Sequence, residues 1–470
     1  MRNNIILLLI ISGFFTLSSC EKMLEINPKQ SIDADGALTN EKAIEASTNG
    51  VYARLREVSL FGRDLIVIPD VLADNAFNTG AGNRLIREWN NQAGSHVSNW
   101  RYSYYAINQI NLNLEALESF EGDEDFNNRI KGENLFLRAL LYHNLVRVYA
   151  YDPTATIASR DRGGVPIVSK GVIKVDDIEF KTRSSVADVY KLIYADLTEA
   201  YGLLAKVKGA RAPHFATQGA VAALMSRVAL YNGDYKRVIT EGNNALSSGV
   251  ATLPGTDALV ASWRSEVHPE SFFEIPFATP DNMGSNESLR ATYMTRTTVD
   301  GTSAASHGVI TVNDKLYALY ETTDLRLNFF KKGLSANKDR YEVNKFASKN
   351  GVPNLDNVPV IRMAEVVLNL AEAYAKDGKT DLANKELNKI RTRAGLEAVN
   401  LSDQELLDEI LLQRRLEFAF EGHRFFDLKR NGLPIIKETG NLDFEDYRIL
   451  ARIPVREIEI IGEIEQNYGY

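Results

Sequence analysis

Apolar residues recur along this chain at helical spacing over most of its length. Ile44, Val51, Leu55 and Val58 define a first stripe, with the small Ser47 and Thr48 in its gap, where a neighbouring helix can approach closely. A second stripe runs through Val97, Trp100, Tyr104, Ile107, Ile110, Leu114 and Leu117, and a third through Leu135, Leu137, Tyr142, Leu145 and Tyr149. A fourth carries Val186, Val189, Ile193, Leu197 and Leu204, and Ser185 with Asp188 has the spacing of a helix cap. Residues 218–248 and 362–394 each read as helix–turn–helix, broken at Asn232-Gly233-Asp234 and at Lys376-Asp377-Gly378-Lys379. Both resemble tetratricopeptide units, with small residues where helices would cross, but no regular period links them. Ser402 and Glu405 predict a capping box at the start of a last helix. "ESFFEIPF" predicts a strand, while 61–95, 151–183 and 250–360 read as irregular insertions. The fold class that follows is mainly α, with tetratricopeptide-like helix pairs, a few short strands and a loop-rich face suited to binding.

The N-terminus departs from this pattern. Arg2 is followed by an apolar run from Ile5 to Phe15 and by the small Ser18 and Ser19, the layout of a secretory signal peptide and too short for a comfortable membrane span. Leu17-Ser18-Ser19-Cys20 matches the lipobox of bacterial lipoproteins. That resemblance implies a diacylglycerol thioether on Cys20, cleavage before it and acylation of the new terminus, and two or three chains suffice for a stable anchor. Cys20 is the only cysteine, so the fold stands without disulfides. The expected organisation is a signal peptide at 1–19, a lipidated tether at 20–39 and a single domain at 40–470. A formal charge of −8 and the lack of any basic run give no footprint of a nucleic-acid binder.

Several motifs then occur in a telling order. They are Met23-Leu24-Glu25-Ile26-Asn27-Pro28 after Cys20, "GENLFLRALLYHNLVRVYA", Gly164-Val165-Pro166, "SSVADVYKLIYADLTEAYGLL", "VIRMAEVVLNLAEAYA", "LNKIRTRAG", "LLQRRLEFAFEGHRFFDLKRNG" and the terminal "EQNYGY". Together they resemble the SusD/RagB family of outer-membrane nutrient-binding lipoproteins, over almost the whole chain. Local departures are Asn134, Tyr468 and Ala451-Arg452, where the family often has other residues. The resemblance implies four tetratricopeptide-like helix pairs and binding rather than catalysis. It also implies an outward-facing lid on a SusC-like TonB-dependent barrel, to which captured glycan, or in some members peptide, is delivered.

"RRLEFAFEGHRFFDLKR" gathers Arg414, Arg415, Glu417, Glu421, His423, Arg424 and Asp427, which could suggest acid–base chemistry. Glu417 and Glu421 are spaced to share a helical face, and pairing with Arg414, Arg415 or Arg424 would keep them ionised, unlike a general acid. No catalytic residue is therefore assigned, and no cofactor. The acidic stretch from Glu121 to Asp125 offers at most incidental calcium binding, since it lacks EF-hand spacing, and a solvated turn is the better reading. Sugar binding requires flat apolar faces for ring C–H groups and planar polar groups for hydroxyls. Trp100 and Trp263 lie in core-like patterns, whereas Trp89 sits in an irregular stretch with Asn75, Arg84 and Asn90. In the family, the loop before the Trp100-type helix often contributes to the ligand face. Trp89, Arg84, Asn90 and Asn75 are the first expected ligand contacts, with Tyr293 and Arg290 a second group. A peptide ligand, or a protein–protein adaptor role without a nutrient ligand, remains an alternative at this point.

Overall fold

The apolar stripes become helices because each has a face to bury and a cap to begin it. The computed structural model describes residues 38–470 apart from 210, 296–297, 300–301, 304–305 and 349–351. Cys20, the signal segment 1–19 and the tether up to residue 37 lie outside the described residues. Helix α1 (Glu41–Arg54) starts at Asn40, whose side chain accepts from the Ala43 amide at 3.0 Å. Helix α2 (Asp64–Leu72) follows, and then come α3 (Trp100–Ser119), α4 (Glu124–Tyr149) and α5 (Val186–Leu204). The expected cap on α5 is present: the Ser185 hydroxyl accepts from the Asp188 amide at 3.0 Å and donates to its carboxylate at 2.6 Å. Asp123, in the acidic stretch read as a turn, caps α4 by accepting from the Phe126 amide at 3.1 Å.

Both helix–turn–helix readings hold. Helices α6 (Gln218–Asn232) and α7 (Tyr235–Ser247) meet at Gly233, whose φ of 74° reverses the chain, and Asp234 caps α7. Helices α8 (Met363–Lys376) and α9 (Thr380–Arg393) form the second such pair, and α10 (Asp403–Glu417) and α11 (Arg424–Arg430) complete the scaffold. Neighbours pack in the series α3, α4, α5, α6, α7, α8, with α9 and α10 both against α8. The expected capping box on α10 does not form: the Ser402 side chain makes no cap hydrogen bond. Asp403 enters the helix with φ 50°, a turn that the capping-box spacing does not anticipate.

The stretch 61–95 is less irregular than its sequence suggests. All nine residues of α2 are buried, so the helix has no polar face and its sequence no amphipathic period. A close turn holds it. Gly422 has φ 82°, and a Cβ there would stand 2.2 Å from the Leu65 carbonyl oxygen. The amides of Phe420 and Gly422 both donate to the Asp70 carboxylate, at 3.1 and 3.0 Å.

The strands are short and pair antiparallel. Besides a two-residue pair, Thr298–Val299 with Thr302–Ser303, they are β1 (Ala76–Asn78) with β3 (Ile310–Val312), β2 (Ser271–Ile275) with β6 (Val358–Arg362), and β4 (Phe330–Lys332) with β5 (Tyr341–Val343). Phe77 stands opposite Thr311, which ties the loops after β1 to those before β3.

The carboxylates of "RRLEFAFEGHRFFDLKR" are ion-paired, but not as their spacing implied. Helix α10 ends at Glu417 and Phe420 takes φ 65°, so Glu421 does not continue the helical face. Glu417 pairs with Arg393 at 2.6 Å and Arg362 at 3.3 Å, and Glu421 pairs with Arg362 at 2.7 Å and Lys345 at 2.6 Å. Glu270 adds a third carboxylate, 2.8 Å from Arg362. Arg414 turns instead to Asp427 at 3.1 Å, while Arg415 and Arg424 both hold Asp74, at 3.2 and 2.7 Å. Burial alone would raise Glu417, but Arg393, Arg362 and Arg326 outweigh it and hold the carboxyl well below the usual range. Such a group stays ionised and is unsuited to general-acid work.

Candidate functional site

Between β1 and α3 the chain makes a tight excursion that carries Arg84, Trp89 and Asn90. Gly80 and Gly82 take φ 79° and 61°, and the non-glycine Asn83, Leu85 and Asn91 also lie in the left-handed region. Such backbone is costly for leucine and persists only when its surroundings enforce it, a condition common at ligand clamps. Here the enforcement is local: Asn78 donates to the Arg84 carbonyl at 2.8 Å and accepts from the Gly80 amide at 2.8 Å. Thr79 is fastened to the facing chain through the Val309 carbonyl at 2.9 Å.

Trp89 closes the short helix Ile86–Trp89 and is half-buried. Its ring meets Phe77 edge-on, with centroids 5.4 Å apart and planes at 65°. The Arg340 guanidinium covers the same Phe77 ring at 3.3 Å from its centroid. Next along β5, Tyr341 stacks on Tyr317 at 3.9 Å and 10°, with the Lys332 ammonium 4.0 Å from the Tyr341 centroid. Trp89, Phe77, Tyr341 and Tyr317 are all partly exposed, so ring surface and cationic groups occur together on this face.

Arg84 borders the same loop, its side chain 33% exposed. It donates to the Asn286 carbonyl at 2.6 Å and to the Asn286 side-chain oxygen at 3.2 Å. His307 stands 3.2 Å from that oxygen, so three loops meet in one exposed polar cluster.

The other expected contacts lie deeper. Asn75 is fully buried, donating to Asp70 at 2.9 Å and accepting from Arg415 at 2.9 Å. Tyr293 is fully buried, stacked on Phe346 at 6.1 Å and set edge-on to Phe420 at 5.5 Å. Arg290 is also enclosed, with Ser306 3.3 Å away. These three were expected at a ligand surface, and the packing corrects that: their polar atoms face protein because the segments around them close over them. Trp89, Arg84 and Asn90 remain at the surface. Trp100 and Trp263 are core residues, as their patterns indicate.

Sequence reasoning missed Phe77, Arg340, Tyr317, Tyr341 and His307, and placed Asn286 beside Tyr293 and Arg290 rather than with Arg84. Contacts between distant segments, the β1–β3 pairing, the Arg340 guanidinium on Phe77 and the Arg84–Asn286 hydrogen bonds among them, bring these groups together, and no local spacing encodes them.

A concavity of about 760 Å³ lies elsewhere, between α3 and the chain at 168–181, lined by Tyr104, Tyr105, Leu112, Ile173 and Ile178. Its amides are engaged: Asn108 exchanges hydrogen bonds with Val172 at 3.0 and 2.7 Å, and Gln109 donates to the Ser47 carbonyl at 2.8 Å. The Trp89 face offers rings and polar groups side by side, the combination a polyhydroxylated ligand needs.

Known proteins bear on these features. A profile of the SusD family matches residues 328–470, and a SusD-like profile described as starch-binding and associating with the outer membrane matches residues 22–230. SusD-like protein P2 of Formosa agariphila is 25% identical over 468 residues, covering 88% of each chain. The crystal structure of a SusD superfamily protein from Bacteroides thetaiotaomicron superposes with a TM-score of 0.80 at 25% identity, over 91% of this chain and 99% of that one. A laminarin-binding SusD-like protein shares the fold at 23% identity, with a TM-score of 0.73 over 92% of this chain and 100% of its own. With one profile on each half, relatives aligned nearly end to end and the same helical scaffold, this chain belongs to the SusD family.

Proposed function

We propose that this protein is a cell-surface lipoprotein that captures oligosaccharide on the Trp89 face and delivers it to a SusC-like TonB-dependent barrel. The observation that carries the reading is the juxtaposition of half-exposed Trp89 and Phe77 rings with the Arg84–Asn286–His307 cluster on adjoining loops. An indole face receives the C–H side of a pyranose, while planar amide and guanidinium groups reach its equatorial hydroxyls. The starch-binding description of the matching profile and the laminarin-binding relative favour glycan over peptide.

Calorimetry with laminarin-derived and starch-derived oligosaccharides, and with peptides as a control arm, tests the reading. Trp89→Ala is expected to weaken glycan binding by about tenfold or more, equivalent to at least ~1.4 kcal/mol, with thermal stability changed little. Undiminished affinity removes Trp89 from the site, and binding of peptides alone replaces the ligand class.

The anchor in this reading is a lipid on Cys20, which places the binding face outside the outer membrane. Labelled palmitate is expected in the wild type, together with a large barrel that co-purifies from intact outer membranes, and the label is expected to disappear in Cys20→Ala. Persisting label sinks the anchor, and repeated purification without a barrel sinks the partner.

A further inference from the structure

Lys437 lies on the chain after α11, buried apart from a small fraction of its surface, and its ammonium reaches four oxygens. These are the carbonyl of Val71 at 2.8 Å, that of Leu72 at 3.4 Å, that of Trp89, and the Asn91 side-chain oxygen at 3.0 Å. Two of them are final carbonyls of α2, which have no partner further along their own helix and sit at its negative end. The other two belong to the loop that carries Trp89. Asn91 strengthens the link by donating to the same Leu72 carbonyl at 2.9 Å. One cation thus fastens a buried helix end to the candidate ligand loop. All four of these contacts are neutral dipoles rather than carboxylates.

We propose that Lys437 is a positioning residue, a proton-dependent clamp on the Trp89 loop whose deprotonation loosens that loop and its grip on a glycan. The proposal rests on the reading of Trp89 as a ligand contact. The chemistry is a matter of donors. An ammonium has three N–H groups and no lone pair to set among four oxygens. The neutral amine has two weaker donors and a lone pair that must point at an oxygen, so at least one arm of the clamp is lost.

The surrounding charges leave this switch within reach of ordinary pH. Burial pushes Lys437 down from its usual 10.5 to about 7, and Asp74 opposes the shift. Asp74 stands at the end of α2 and is already held by Arg415 of α10 and Arg424 of α11. From the turn at 447–449, Arg448 donates to the Asn91 carbonyl at 3.1 Å and pairs with Asp446 at 2.7 Å. The neighbouring Glu438 on the clamp's own segment is exposed.

The stability effect of the same proton has the opposite sign. Because the folded pKa is depressed, the native state has released a proton that the unfolded chain still holds between about pH 7 and 10.5. Folding stability from this group therefore rises across that window while the loop loosens. A residue with only a structural role would move loop and melting temperature together.

The test is ¹⁹F NMR of the full-length protein labelled with 5-fluorotryptophan, the Trp89 signal being assigned with Trp89→Phe. The Trp89 signal is expected to titrate between pH 6 and 9 with a midpoint near 7, while the Trp100 and Trp263 signals stay still and the melting temperature does not fall. In Lys437→Met the Trp89 signal is expected to be displaced and to lose its pH dependence, and in Thr439→Val, which removes a non-titrating hydroxyl that donates to the Trp89 carbonyl at 3.4 Å, the titration is expected to persist. Affinity for laminarin-derived or starch-derived oligosaccharides is expected to fall roughly threefold to tenfold over the same range in the wild type and to stay flat in Lys437→Met. A stationary wild-type Trp89 signal overturns the clamp without recourse to any variant, as does an undiminished titration in Lys437→Met. If the signal titrates through Lys437 but glycan affinity does not follow, the coupling to ligand is overturned. If Trp89→Ala also leaves affinity unchanged, what fails is the siting of the ligand, not the clamp.

Discussion

Trp89 and Asn75 belong to the same stretch of chain and differ in what their atoms face. Trp89 offers part of a ring to solvent, whereas Asn75 has both ends of its amide committed, to Asp70 and Arg415. Removing a buried amide leaves a carboxylate and a guanidinium each short of a partner, at a cost of about 1–3 kcal/mol. Asn75→Ala is therefore expected to lower the melting temperature by several degrees while glycan affinity stays within about twofold of the wild type. Calorimetry and thermal unfolding on one preparation check this. Loss of affinity at unchanged stability would return Asn75 to the ligand surface. The sequence marked both residues as polar or aromatic members of an irregular stretch. It could not separate them, since the burial of Asn75 is completed by Arg415, 340 positions later, and by the turn beyond it that holds Asp70.

At the scale of elements, legibility followed amphipathicity. Helices α3, α5, α7 and α9 keep an exposed face opposite their buried one, and in the two helix–turn–helix pairs the turn glycine marked the boundary even though α6 and α8 are buried almost throughout. Helix α2 escaped because it is buried all round, its Asp64 and Asp70 included, and carries Pro69, features that read as strand or loop when no neighbour is known. The strand in "ESFFEIPF" was visible, but its partner β6 lies some 80 residues further on. The candidate face depends wholly on such distant pairings, which is why Trp89 and Arg84 were legible and Phe77 and Arg340 were not. The acid–base motif shows a middle case. Ion pairing could be inferred from composition, while the partners could not, because α10 stops at Glu417 instead of running on.

For the whole molecule, the buried ion pairs govern the response to acid. Burial raises Glu365 but Arg227 more than compensates, leaving it at about 2, and Glu417 and Asp427 are likewise depressed. Their contribution is fully present above the ordinary carboxylate range and is lost as pH falls toward the folded values. Opposing contributions overlap at milder pH. Burial lowers His423 to about 4 and His96 to about 3, and lowers His143 as well, all of which favours unfolding as pH drops, while burial raises Asp70 to about 6, which does the reverse. The melting temperature is expected to fall steeply below about pH 4, where the depressed carboxylates take up protons. Glu365→Gln should be less stable at neutral pH and less steep in acid. A melting temperature that holds down to about pH 3 would contradict the assignment.

The lattice around Arg362 also sets an order of events. Lys345, Arg362 and Arg393 all precede Glu417 and Glu421 in the chain, and they are held together by those two carboxylates with Glu270. A growing chain that stops short of residue 417 has three cations and only one of these anions to enclose with them. Burying unmatched charges costs several kcal/mol for each ion. That half of the molecule therefore stays open until its final stretch has been made, and its core locks only when the last tenth of the chain arrives.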